Sequence, residues 1–292
     1  MEFSNLNSRL RQALKEDGAF HDITTRQLPG FAQKKVKAIL LAKESGIFCG
    51  GFLARPVFSL LDPKVKVRLL KKDGSSIKKG QKLLEIQAKA RAILGAERTF
   101  LNLACHLSGI ASLTSRFVQA VKGTEAKILD TRKTMPMWRD LEKFAVRCGG
   151  GENHRMTLAE AVLVKDNHLK YLLDRHLPPA EVYKAERLRR NKQKKFKFLE
   201  VEAKSYPDVW EGIKARADII MLDNMSVEKM KGSIEFIRAA RKALETEKPF
   251  IEISGGVHLK NAKKLAQLGV DRISVGAITH SAPALDLSLE IL

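Results

Sequence analysis

The sequence predicts an α/β fold in two parts. A mixed α and β segment occupies the first ~100 residues, and a longer region of alternating strands and helices follows, with the character of an open or incomplete barrel. Three observations carry this. Six short apolar runs in the longer region each end in a polar or glycine cluster. Helical patterns separate most of these runs, which implies parallel strands joined by right-handed crossovers. A helical stretch over residues 95–121 divides the two parts, with Phe100, Ala104, Leu107, Ala111 and Val118 at helical spacing and no proline.

Taken in order, a helix is predicted over residues 4–16, where Leu6, Leu10, Ala13 and Leu14 share a face. Gly18 ends it, and the turn His21-Asp22-Ile23-Thr24-Thr25 follows. Residues 35–43 and 65–70 read as strands. Asp73-Gly74 and Gly80 punctuate a further strand pair that ends in Leu83-Leu84-Glu85-Ile86. Gly109 either interrupts the long helix or permits close packing. The six apolar runs are Ile128-Leu129, Val162-Leu163-Val164, Phe198-Leu199-Glu200-Val201, residues 219–222, residues 250–253 and Ile273-Ser274-Val275. Helices are predicted over residues 138–147, 181–190, 207–215, 226–244 and 259–268.

The charge is unusual. Lys+Arg total 53 against 33 Asp+Glu, a formal net charge of +20. Such a surplus suits nucleic acid, a highly anionic small molecule, or a solvated lysine-rich surface. Two Trp and three Tyr weaken the base-stacking alternative, and no nucleic-acid partner is expected. Part of the surplus sits in residues 184–197, with eight basic residues and one acid, which reads as a solvated face. Cys49, Cys105 and Cys148 lie far apart and form no C-x-x-C pair, which points to a reducing compartment and no structural zinc. With no membrane-length apolar stretch and no signal core, the expected location is the cytoplasm, with no membrane partner.

The strand ends collect two opposite sets of groups. Arg132, Lys133, Arg155 and Lys165 are cationic, and Glu202 and Asp223 are anionic. Functional groups at the C-terminal ends of parallel strands mark the mouth of a barrel. This one suits a substrate with several carboxylates or phosphates that also carries hydroxyls or a metal. Guanidinium groups grip carboxylates in a planar fork. Paired carboxylates accept hydroxyls or orient magnesium-bound water. Gly149-Gly150-Gly151, Ser254-Gly255-Gly256 and Gly276 add candidate phosphate turns, because free amides at glycine turns bind anions. His154 and His168 have no His-x-x-x-His or Cys/His context, so a zinc site is not expected. His154 beside Arg155 suits anion binding or a hydrogen-bonding role. Lys165 also admits a Schiff-base role, as in class I aldolases.

Eight ordered motifs resemble one family. They are Glu97-Arg98-Thr99 with Leu101-Asn102 and Ser108-Gly109-Ile110-Ala111; Asp130-Thr131-Arg132-Lys133-Thr134; Gly149-Gly150-Gly151 with Asn153-His154-Arg155; Val164-Lys165-Asp166-Asn167-His168; Glu200-Val201-Glu202; Leu222-Asp223-Asn224; Ser254-Gly255-Gly256; and Ser274-Val275-Gly276-Ala277 with Thr279-His280-Ser281. Together they resemble the quinolinate phosphoribosyltransferases, the nicotinate-nucleotide pyrophosphorylases (carboxylating). The resemblance runs from the Asp22-x-Thr24-Thr25 region to Ser281.

That resemblance implies a pentosyltransferase of NAD biosynthesis. Quinolinate and phosphoribosyl pyrophosphate would give nicotinate mononucleotide, pyrophosphate and carbon dioxide, with Mg²⁺. It implies an N-terminal α+β sandwich domain with linker helix over residues 1–112, an open, incomplete α/β barrel over 113–277, and a tail over 278–292 that packs back on the N-terminal domain. It also implies a homo-oligomer, dimer or hexamer, in which Arg98 reaches the neighbouring subunit's site. Thr131, Arg132, Lys133, His154, Arg155 and Lys165 would hold quinolinate carboxylates and phosphates. Glu202 and Asp223 would meet the ribose hydroxyls and the magnesium shell. Ser254, Gly255, Gly256, Val275, Gly276 and Ala277 would cradle the 5′-phosphate. Lys133, Lys165, Glu202 and Asp223 would be the catalytic residues. A relative associated with molybdenum uptake shares the fold, but the intact Asp130–Lys133 and Lys165–His168 motifs favour the quinolinate enzyme. One departure is Met137-Trp138, where the family more usually has Gly and an aliphatic residue, in a loop that borders the expected substrate pocket.

Overall fold

Leu10 and Leu14 are fully buried on the helix Leu6–Glu16, so its apolar stripe is what holds it in place. The structure is a computed structural model that describes residue 3 and residues 5–184 and 196–292. It divides into two compact units. The first comprises Met1–Arg116, Thr134–Gly151 and Ile278–Leu292, and the second Phe117–Lys133 and Glu152–Ala277.

In the first unit, β1 (Lys35–Ala42), β3 (Lys66–Leu69) and β5 (Lys82–Lys89) form a sheet with the C-terminal strand Leu287–Ile291, in the order C-terminal strand, β1, β5, β3. All three pairings are antiparallel. A separate pair joins β2 (Gly46–Ile47) to β4 (Ser76–Ile77). The Asp73-Gly74 turn has an anchoring role: Asp73 accepts the amides of Gly50, Gly51 and Phe52 at 2.7, 2.8 and 3.2 Å. Burial raises the Asp73 carboxyl above its usual pKa, and the three amides oppose that shift.

The long helix runs over Ala90–Ala120 and starts directly after β5, earlier than its apolar periodicity suggested. Gly109 does not break it. A Cβ there would stand 2.1 Å from the Pro283 carbonyl oxygen, so glycine is required for the close approach of the tail. In the same unit the helix Arg139–Cys148 buries Leu141, Ala145 and Val146. Its Glu142 accepts His106 Nε2 at 2.8 Å and the Met135 amide at 3.3 Å, while Arg9 forks Asp140 with two bonds of 2.7 Å. The Met137-Trp138 segment, with Met137 at φ 68°, is therefore held from both sides.

In the second unit, β6 (Lys127–Leu129), β7 (Val162–Val164), β8 (Leu199–Ala203), β9 (Ile219–Asp223), β10 (Phe250–Ser254) and β11 (Arg272–Ser274) form a parallel sheet in the order β6-β11-β10-β9-β8-β7. Among the described residues β6 and β7 do not pair, so the barrel-like sheet stays open. The helices Tyr206–Lys214, Val227–Ala243 and Leu259–Ala266 fall within a residue or two of their expected bounds. The helix Asp166–Leu173 was not expected. Its first turn, Asp166-Asn167-His168, has loop chemistry, but burial of Leu169 and Leu172 outweighs local propensity. Residues 179–184 are helical, and the rest of the predicted 181–190 helix, like most of the basic stretch 184–197, lies outside the described residues. Among the described residues no helix is long and apolar enough to cross a membrane.

Register decides which side chains meet. Glu202 pairs with Met221, Met221 with Glu252, and Glu252 with Arg272. Paired residues of a parallel sheet project from the same face, as do residues two apart on one strand. Glu200, Glu202, Asp223, Glu252, Arg272 and Ser274 therefore share a face.

Candidate active site

The β6 end is tied to the 152–155 segment by a buried carboxylate. Asp130, with no exposed surface, accepts Asn153 Nδ2 at 2.6 Å and the His154 amide at 2.9 Å. Thr131 Oγ1 accepts the Lys133 amide at 3.1 Å, which turns the chain so that Lys133 is exposed. Arg155 is buried, and its Nη1 donates to the Ala161 carbonyl at 2.9 Å. Burial first, and then the adjacent Arg132 cation, hold the Arg155 pKa below its ordinary value. Two guanidinium groups close enough to repel form a site for a multiply charged anion.

At the next strand ends, Lys165 Nζ lies 3.1 Å from Glu202 Oε2, the lysine side chain half exposed and the carboxylate buried. Asp223 pairs in register with Ser254. Asn224, at φ 52°, donates Nδ2 to Asp223 at 3.0 Å and its amide to the Ser254 carbonyl at 3.1 Å. Ser254 leads into Gly255 and Gly256 at φ 79° and 60°. At φ 79° Gly255 holds a left-handed conformation that favours glycine in this turn beside Asp223. The Val275 amide donates to the Leu129 carbonyl at 2.9 Å, and Gly276 follows at the start of the short helix Ala277–His280.

In the same unit His154 meets two buried glutamates, Glu200 and Glu252, that the expected site did not include. His154 Nδ1 accepts the Arg155 amide at 2.9 Å. Its Nε2 faces Glu200 at 2.9 Å and Glu252 at 3.6 Å. Glu252 also meets Arg272 Nε at 2.9 Å and accepts the Ser274 hydroxyl. Desolvation, partly offset by Arg272 and Arg155, raises Glu200 to a pKa of about 7. Desolvation and the Glu200 charge raise Glu252 to about 7. A glutamate inside an otherwise apolar strand was the available signal for Glu200; Glu252 gave the same signal between Ile251 and Ile253.

The structure thus groups Thr131, Arg132, Lys133, His154, Arg155, Lys165, Glu202, Asp223, Ser254, Gly255, Gly256, Val275, Gly276 and Ala277 in the second unit. Arg98 belongs to the first, on the long helix, with its side chain 73% exposed and Glu97 3.8 Å away.

The chain matches the family described as quinolinate phosphoribosyl transferase, N-terminal domain, over residues 22–108, and the corresponding C-terminal domain over residues 110–290. It is 38% identical over 295 residues to the nicotinate-nucleotide pyrophosphorylase (carboxylating) of Mycobacterium leprae, covering 99% of this chain and 98% of that one. A probable enzyme of the same name from Bacillus subtilis is 35% identical over 291 residues, covering 100% and 95% of the two chains. The solved structure of the nicotinate-nucleotide pyrophosphorylase from Francisella tularensis superposes with a TM-score of 0.86 at 35% identity, covering 100% of this chain and 98% of that chain. Strand order, site chemistry and end-to-end similarity agree, and the chain belongs to the quinolinate phosphoribosyl transferase family.

Proposed function

We infer that the chain transfers the phosphoribosyl group of phosphoribosyl pyrophosphate to quinolinate and decarboxylates the product, giving nicotinate mononucleotide, pyrophosphate and carbon dioxide for NAD biosynthesis. The observation that carries this is the pairing of Arg132 with a buried Arg155, in the same unit as the carboxylates Glu202 and Asp223 and the Gly255-Gly256 turn. The cations suit a dicarboxylate, the carboxylates suit a ribose, and the glycine turn suits a phosphate.

Arg132, Lys133, Arg155 and Lys165 hold the pyridine dicarboxylate so that its ring nitrogen points at the anomeric carbon. Much of the rate then comes from orientation. The new C–N bond forms as the bond to pyrophosphate breaks, and positive charge develops on the sugar. Glu202 and Asp223 stabilise that charge and accept the ribose hydroxyls. The bond from the ring to the 2-carboxyl group then breaks, and carbon dioxide leaves. Its electron pair stays at C2, beside the cationic nitrogen, and a solvent proton fills the position. No further electron sink is needed. The amides of the Gly255-Gly256 turn and of Gly276 and Ala277 take the 5′-phosphate, with Ser254 beside them.

Glu202 and Asp223 also fit Mg²⁺, because two carboxylates at neighbouring strand ends are the hard oxygen donors such an ion takes through its water shell. Bound there with the substrate, the ion would neutralise charge on the departing pyrophosphate. We assign the chain to a cytoplasmic homo-oligomer, dimer or hexamer, with Arg98 donated to the neighbouring subunit's site. The exposed Arg98 side chain, in the unit that lacks the strand ends, supports that donation.

The test is direct. The purified full chain, given quinolinate, phosphoribosyl pyrophosphate and Mg²⁺, is expected to release nicotinate mononucleotide and carbon dioxide in equal amounts. Absence of both products, with the protein folded, would overturn the assignment.

A further inference from the structure

His154, Glu200 and Glu252 come from three separate segments, yet their side chains converge inside the second unit. All three are buried, and both glutamates have no exposed surface. Buried carboxylates are kept only where something compensates their desolvation. Here the compensation comes from Arg155, Lys165 and Arg272, together with the Ser274 hydroxyl.

A metal is the first alternative for one histidine and two glutamates in contact, and the hydrogen bonding argues against it. His154 Nδ1 faces the Arg155 N–H and must be an acceptor. The ring proton therefore sits on Nε2, the atom a metal would need. That nitrogen lies 2.9 Å from a Glu200 oxygen and 3.6 Å from a Glu252 oxygen, within reach of their charge. The Arg272 guanidinium on Glu252 also occupies the place where a cation would be wanted.

His154 Nδ1 is thus engaged by the backbone of Arg155, while its Nε2 stands within ion-pair distance of two buried carboxylates. We propose that Glu200 and Glu252 are positioning residues for the dicarboxylate site: they hold His154 with its proton on Nε2, and His154 in turn fixes the backbone at Arg155 so that its guanidinium meets the substrate. The carboxylates, fixed on β8 and β10, form the rigid end of the chain of contacts, and the 152–155 loop is what they steady. The Asp130 bond to the His154 amide steadies the same residue from its other side. The proposal rests on the assignment of quinolinate as the substrate.

Two measurements test it. Histidine ¹⁵N NMR of the full chain is expected to show His154, identified by loss of its signal in His154→Gln, as a neutral ring protonated on Nε2. A proton on Nδ1, or on both nitrogens, at pH 7.5 overturns the proposal. Calorimetric titration with quinolinate is expected to show its dissociation constant raised about tenfold in Glu200→Gln, while the KM for phosphoribosyl pyrophosphate changes less than threefold. A folded Glu200→Gln within twofold of the parent for quinolinate overturns the proposal, as does an equal loss for both substrates. Where Glu200→Gln does not fold, Glu252→Gln takes its place with the same expectations. Failure of the parent protein to bind quinolinate sinks the functional assignment itself, whereas binding that is indifferent to both variants sinks only the positioning role.

Discussion

Lys165 Nζ stands 3.1 Å from Glu202 Oε2, a half-exposed ammonium against a buried carboxylate at adjacent strand ends. An ammonium held in this way binds anions by charge, and the Schiff-base role for Lys165 loses its support. Borohydride treatment in the presence of quinolinate is expected to leave the protein mass unchanged, and a stable adduct on Lys165 would restore the covalent alternative.

Glu202→Ala and Asp223→Ala are expected to lower kcat far more than they weaken quinolinate binding. Quinolinate is a dianion, so carboxylates do not attract it. They attract the positive charge that appears on the sugar only as the leaving group departs. Loss of one such interaction typically costs about 10²–10³ in rate. Single-turnover rates beside quinolinate titrations check the split.

Arg155→Ala acts in the opposite sense. Loss of a charge-assisted contact of about 1.5–3 kcal/mol raises the quinolinate dissociation constant by roughly 10- to 100-fold. For the same reason nicotinate, with one carboxylate fewer, leaves Arg132 or Arg155 unmatched and is expected to be a poor acceptor. Comparable turnover of the two acids would contradict both statements.

The proposed donation of Arg98 between subunits is tested by mixing. Neither Arg98→Ala nor Arg132→Ala is expected to be active alone. After subunit exchange, a mixed dimer has one intact site and recovers part of the activity. Exchange shown by mass labelling, without recovery, places Arg98 outside the partner's site.

Glu252 makes stability depend on pH. Its pKa is raised to about 7 in the folded protein, above the usual carboxylate value. Between roughly pH 4.5 and 7 the folded chain holds a proton that the unfolded chain has lost, so this group's contribution falls as pH rises through that window. The parent's stability relative to Glu252→Gln should drop by up to about 3 kcal/mol from pH 5 to pH 8, as read by urea unfolding. A flat difference would mean that Glu252 is ionised throughout.

Much of the site was legible in order. Each strand of the parallel sheet announced itself by an apolar run, and each strand end by the polar cluster after it, because strand propensity and turn chemistry are local. The helix Asp166–Leu173 was hidden because its first turn is made of residues with other work to do: Lys165 pairs with Glu202, and His168 accepts the Lys165 amide. Gly109 could be read two ways until the tail was in place, since the contact that demands glycine comes from Pro283, far along the chain.

The sequence by itself determined the alternation of strands and helices, the opposite charges at successive strand ends and the glycine turn after β10, all of which depend on neighbours within a few residues. Only the tertiary structure decided that Glu200, Glu252, Arg272 and His154 form one buried cluster, and that His154 faces inward. Those contacts follow from the parallel register of β8, β9, β10 and β11, which brings residues dozens of positions apart onto one face. Local propensity does not encode that register. It arises when the open sheet assembles and desolvation forces each buried charge to find its partner.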